Sequence, residues 1–286
     1  MTRISGSAAA VTGAASGIGR ALALRLADLG CDLALADRDE TGLASLAGIN
    51  NAKSKVKCTT YKLDVSNAAD VARFAAAAIA AHPGLNIVVN NAGVALLGDH
   101  DDIKLADFEW VMSINFWGVV YGCQSFLPHL SRQREAHIVN LSSVFGFFGP
   151  PGQTAYASSK FAVRGYSEAL RHECEERNWP VHISLVHPGG IKTNIVRNAR
   201  ATANLSNQKA DLAGNFDTVA RSTPEQAAQC IVDGILRNSP RILIGSDARL
   251  VDRLTRYLPV QHFKWLQRLN RRASGRTSRL GAKAGS

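Results

Sequence analysis

The chain has 286 residues, 46% hydrophobic and 20% charged, which is enough apolar material for one large core in an ordinary globular protein. The formal net charge of +10 is uneven: residues 249–286 hold ten Lys/Arg against the single Asp252, so the body is nearly neutral and offers no basic face for nucleic acid. No apolar run approaches the roughly 20 residues of a membrane span, and five scattered cysteines with no CxxC pair and no Cys/His cluster argue for reduced thiols in the cytoplasm, against a disulfide framework and against a metal centre.

Short apolar or β-branched runs alternate with longer helical stretches along the chain. Strands are expected at 8–13, 32–37, 58–64, 86–93, 136–143, 181–189 and 241–245. Helices are expected at 19–30, 67–82 and 153–173, and at 222–236, where Thr-Pro-Glu-Gln puts proline at the first helical position. Strands that alternate with helices, several of them apolar nearly throughout, imply a parallel sheet covered on both faces. This is an α/β doubly wound fold, with its ligand site at the carboxyl ends of the strands. Residues 1–248 read as one domain. Within it, the polar stretch 194–221 is expected to be a long lid loop, and 249–286 a basic, amphipathic extension with a disordered end.

The first strand leads into "TGAASGIG" at 12–19, so Gly13, Gly17 and Gly19 stand between a strand and a helix, where glycines allow backbone to approach a pyrophosphate. The second strand ends in Asp37, which suits the ribose hydroxyls of NAD, but the next residue, Arg38, suits the 2′-phosphate of NADP. The choice between NAD(H) and NADP(H) stays open at this point. Farther on, Tyr156 and Lys160 are four apart near the start of a helix and therefore share one face.

With "NNAG" at 90–93, "SINFWGVVYG" around Asn115, Ser143 thirteen residues before Tyr156, Tyr-x-x-x-Lys, and Pro188-Gly189 with Thr193, the sequence resembles the short-chain dehydrogenase/reductase family over about residues 4–247. The resemblance implies a Rossmann fold and a catalytic set of Asn115, Ser143, Tyr156 and Lys160. It also implies a dinucleotide held by Gly13, Ser16, Gly17, Ile18, Gly19, Asp37, Arg38, Asp64, Val65, Asn90, Ala92, Gly93, Tyr156, Lys160, Pro188, Gly189, Ile191 and Thr193. Tyr156 would be the acid/base, its pKa drawn down from about 10 by the nearby ammonium and the oxidised nicotinamide. Ser143 would hold the substrate oxygen. Lys160 would also hold the nicotinamide ribose, and Asn115 would tether a water that completes a proton relay. His187 reads as a structural histidine.

Phe145, Phe147 and Phe148 follow the serine, some as core and some facing the cleft, and no Arg or Lys obviously joins them. The expected substrate is a bulky, largely apolar secondary alcohol or its ketone, with a steroid-like or 3-oxoacyl compound as the alternative. A dinucleotide-binding regulatory protein without turnover is the remote alternative. The extension reads as a lid or oligomer contact ahead of a membrane-surface patch, and the family resemblance implies a homodimer or homotetramer.

Overall fold

The structure, a computed structural model, describes residues 1–53, 56–207 and 209–267. Its strands are β1 (Ala8–Thr12), β2 (Asp32–Asp37), β3 (Cys58–Lys62), β4 (Leu85–Asn90), β5 (Leu96–Leu97), β6 (Ala136–Leu141), β7 (Val181–Pro188), β8 (Arg200–Ala201) and β9 (Arg241–Ile244). Seven of these form one parallel sheet in the order β3-β2-β1-β4-β6-β7-β9, while β5 and β8 pair separately. The order reverses between β1 and β4, and that switch point is where a doubly wound sheet opens a crevice.

The helices are α1 (Gly17–Asp28), α2 (Glu40–Lys53), α3 (Ala68–Ala81), α4 (Leu105–Met112), α5 (Gly118–Leu130), α6 (Thr154–Glu176), α7 (Ala203–Ser206), α8 (Lys209–Val219), α9 (Pro224–Leu236) and α10 (Ser246–Tyr257). They lie on both faces of the sheet. Leu22 and Leu26 of α1 and Ile231 and Ile235 of α9 pack on one side, with Phe74, Phe126 and Val163 from α3, α5 and α6 on the other. Such side chains each contribute roughly 1.5–3 kcal/mol by leaving water. Thr223 and Gln226 close a reciprocal cap at the start of α9, with Pro224 just inside it, as the Thr-Pro-Glu-Gln run suggests. Asn67 caps α3 through the amides of Ala69 and Asp70.

Most strands stop one to three residues short of the expected ends, and the residues left over are those of the motifs. Gly13 turns the chain at φ +65°, and Asp64 turns it by accepting from the amide and hydroxyl of Ser66. The lid also differs from a loop. Arg200–Ala201 pairs with Leu96–Leu97, and α7 and α8 follow, because the amides of Arg200 and Thr202 find the carbonyls of Ala95 and Leu97. The boundary drawn at residue 248 falls inside α10. There Ala248 and Val251 are buried, and Asp252 pairs with Arg241 at 2.9 Å and with Arg256 at 3.3 Å. The first part of the extension therefore belongs to the domain. Residues 268–286 lie outside the described residues.

Candidate functional site

The crevice at the switch point is floored by the turn after β1. An added Cβ at Gly13 would sit 2.8 Å from the Ala92 Cα, and one at Gly19 would run into the Gly13 carbonyl, so both positions demand glycine. Thr12 ties this turn to the loop after β4: its hydroxyl accepts the amides of Asn91 (3.1 Å) and Ala92 (3.2 Å). The Asn91 side chain returns bonds to the carbonyls of Thr12 (2.9 Å) and Gly13 (3.0 Å). Ser16 is exposed at the N-terminus of α1 with no side-chain cap bond, and Ile18 packs back on the core, so this helix end faces the crevice. Its first amides and the positive end of its dipole suit a phosphate. Thr193 closes the turn from above, 3.3 Å from where a Gly17 Cβ would stand.

Asp37 lies at the end of β2 with its carboxylate fixed by the amides of Ala15 (2.9 Å) and Asp39 (3.1 Å). Arg38 is exposed and turned towards Asp64, 4.0 Å away. Burial works to raise the Asp64 carboxyl, but the bonds from Ser66 and the Arg38 charge outweigh it and hold it below the usual carboxylate value. Val65 is buried beside it. The side chain of Asn90 points away from the crevice, donating to Asn140 Oδ1 at 2.8 Å in a buried polar network, so only its backbone is left for a cofactor. Pro188 and Gly189 end β7, and Ile191 is buried beside a bridge to Ser222.

The reactive groups meet at the ends of β4 and β6. Tyr156 and Lys160 share a face of α6, with the Lys160 Nζ 5.6 Å from the centre of the Tyr156 ring. Lys160 is 4% exposed, and its ammonium donates to the Leu141 carbonyl at 3.0 Å. Burial lowers its pKa to about 8. A Cβ on Gly93 would stand 3.5 Å from that ammonium, so the glycine leaves the space above it open. Burial raises the Tyr156 phenol above its ordinary value, and the Ser143 hydroxyl acts on it in the opposite sense. Within the chain alone the expected lowering by Lys160 is therefore not what governs the phenol; desolvation is.

Asn115 ties two segments of the site together. It lies in a π-helical turn, Ser113–Trp117, between α4 and α5, and is 0% exposed. Its Oδ1 accepts from the Val94 amide at 2.8 Å, and its Nδ2 donates to the Val94 carbonyl at 2.9 Å and to Ser159 Oγ at 3.1 Å. The side chain is thus committed to clamping the loop after β4 onto α6. Two further residues shape the site without any short-range sequence signal. Asp247 of α10 accepts the Gly190 amide at 2.7 Å, and His187 contacts the Ser143 carbonyl at 2.8 Å.

The dinucleotide site passes a fit test on this geometry: a glycine turn that side chains would fill, an uncapped helix start, a fixed acid at the second strand end and an open space over a buried ammonium. Comparison with known proteins agrees. Residues 7–204 match the family described as short chain dehydrogenase. The chain is 42% identical over 259 residues to "Putative oxidoreductase SadH" of Mycobacterium tuberculosis (strain ATCC 25618 / H37Rv), covering 90% of this chain and 93% of that one. Among solved structures, a short chain dehydrogenase/reductase from Burkholderia phymatum in complex with NAD superposes with a TM-score of 0.84 at 30% identity, covering 90% of this chain and 95% of the other. A levodione reductase does so with 0.76 at 26%, covering 86% and 98%.

Proposed function

This chain belongs to the short-chain dehydrogenase family, and from that membership we propose that it is an NAD(H)-dependent oxidoreductase that interconverts a bulky, largely apolar secondary alcohol and its ketone. The observation that carries this reading is the convergence of Tyr156, Ser143 and the buried Lys160 at the strand ends, beside the glycine turn.

When bound, the dinucleotide supplies the hydride chemistry. The chain does the rest. The amides of the turn and the start of α1 would hold the pyrophosphate, and Lys160, beside the space that Gly93 leaves open, would hold the ribose. Tyr156 Oη gives a proton to the carbonyl oxygen in reduction and takes it back in oxidation. Ser143 Oγ donates to the same oxygen and orients it.

The Asp37 carboxylate, held by Ala15, would repel a 2′-phosphate, while Arg38 already faces Asp64; together these support NAD over NADP. Asp37→Ala is expected to weaken NAD(H) by roughly 10-fold or more through a lost charge-assisted bond. Arg38→Ala should change NAD(H) affinity little. If Arg38→Ala instead selectively destroys NADP(H) affinity exceeding that for NAD(H), the preference is reversed. Dissociation constants for both cofactors decide it.

The apolar substrate reading rests on Phe145, which meets Tyr156 edge-on at 6.1 Å and Phe148 at 5.3 Å, lining the approach to the phenol with rings. The likeness to a levodione reductase, a dione reductase by name, supports a ketone. A panel of ketones of graded bulk with both reduced cofactors tests it; turnover confined to small or anionic carbonyls would contradict it.

The chain is also proposed to form a homo-oligomer through α6 and the π-helical turn that leads into α5, which leave Phe161 and Trp117 exposed, the latter at 46%. Trp117→Glu with Phe161→Glu should then reduce the mass in sedimentation to that of a monomer; an unchanged mass refutes this surface. Five scattered cysteines with no CxxC pair fit a reducing, cytoplasmic setting. No helix among the described residues is long and apolar enough to cross a membrane.

A further inference from the structure

His187 stands one residue before the end of β7, after the buried Leu185 and Val186, and is 0% exposed. Its Nδ1 lies 2.8 Å from the Ser143 carbonyl, which can only accept, so Nδ1 carries the hydrogen. Burial and, less strongly, the charges of Arg241 and Arg164 hold the ring neutral, with its pKa lowered to about 4 despite the opposing pull of that bond. The other nitrogen, Nε2, is then a buried acceptor with no partner. An unmet buried acceptor costs stability, so the imidazole is not explained by packing.

The rest of the contact explains it better. The ring of Phe147 stacks on the imidazole at 3.9 Å and 24°, and the guanidiniums of Arg164 and Arg241 lie 5.2 and 5.6 Å from the Phe147 centre. Arg164 also donates to the Gly146 carbonyl at 3.4 Å, and Arg241 is held by Glu168 and Asp252. The Ser143 carbonyl otherwise accepts the Gly146 amide, a bond internal to the turn at Val144–Gly146. The imidazole bond is what joins that turn to the neighbouring strand.

We propose that His187 is a positioning residue: its Nδ1–H bond to the Ser143 carbonyl, backed by the stacked Phe147, fixes the backbone of Ser143 so that its hydroxyl faces Tyr156. The proposal rests on the alcohol/ketone reading above. His187→Val removes the donor together with the orphaned acceptor; His187→Asn keeps a donor at the Nδ1 position. The valine variant should keep or raise its melting temperature and keep cofactor affinity within about twofold, while kcat falls about 10-fold or more, the loss of one aligned hydrogen bond. The asparagine variant should recover most of that loss. In a Ser143→Ala background the valine substitution should have no further effect on kcat.

Amide exchange in 143–147, which needs no turnover, should quicken in the valine variant and not in the asparagine one. Unchanged exchange, an unchanged kcat, a loss that persists without the serine hydroxyl, or a valine variant that fails to fold would overturn the proposal. Wild-type protein inert towards every ketone and alcohol would sink the oxidoreductase reading, while the exchange measurement still decides the role of His187.

Discussion

Tyr156→Phe lowers kcat by about 10²–10⁴-fold, the size of a lost general acid/base, and leaves dinucleotide affinity within a few-fold. The ring stays, and with it the edge contact to Phe145; only the phenolic oxygen goes. Because burial keeps the phenol above its ordinary pKa, the protonated form dominates at neutral pH in the chain alone. Reduction, which needs that proton, should therefore hold its rate across neutral pH and fall only on the alkaline side, whereas oxidation should gain as pH rises. A phenylalanine variant with near wild-type turnover would remove Tyr156 from the chemistry. Steady-state rates in both directions across pH, with a cofactor titration on the variant, supply the readings.

Lys160→Met is expected to cost activity comparably and to weaken the dinucleotide about 10-fold or more, since the ammonium beside Tyr156 is proposed to hold the ribose. It should also stabilise the cofactor-free protein. The folded pKa of Lys160, about 8, lies below the ordinary lysine value of 10.5. The unfolded chain therefore holds the proton more tightly, and the cost of burying the ammonium is full below about pH 8. It fades as pH climbs from there towards 10.5, so stability on this account rises with pH. The shift corresponds to about 3 kcal/mol, partly offset by the lost bond to the Leu141 carbonyl. Methionine should raise the unfolding free energy near pH 7, and the advantage should shrink above pH 8. A destabilised variant would mean that the ammonium is held by more than that carbonyl, and an unchanged dinucleotide dissociation constant would deny the ribose role.

The sheet was legible because several of its strands, β1 and β4 among them, are buried end to end, and the glycine turn because a Cβ cannot fit at Gly13 or Gly19. Tyr156 and Lys160 were legible because helical spacing alone brings them together. What could not be read depends on contacts between distant segments. Asn115 turns inward through a π-helical turn that no periodicity marks, and its side chain clamps Val94, a contact the sequence does not announce. Asp247 reaches Gly190 across 57 positions, and the lid gains strand and helix from pairing with Leu96–Leu97. Asn90 and Asn91 look alike in "NNAG", yet strand alternation sends the first into the core network and leaves the second to bind the turn after β1. Asp252 looked like a lone acid in a basic tail; Arg241, on the last strand, makes it part of the domain.

The most direct test of the account is isotope transfer. Wild-type protein supplied with deuterium-labelled reduced NAD and a bulky apolar ketone should yield the secondary alcohol with the label on its carbinol carbon, and the Tyr156→Phe variant should yield almost none. Unlabelled product, or no product from any ketone with either reduced cofactor, would contradict it.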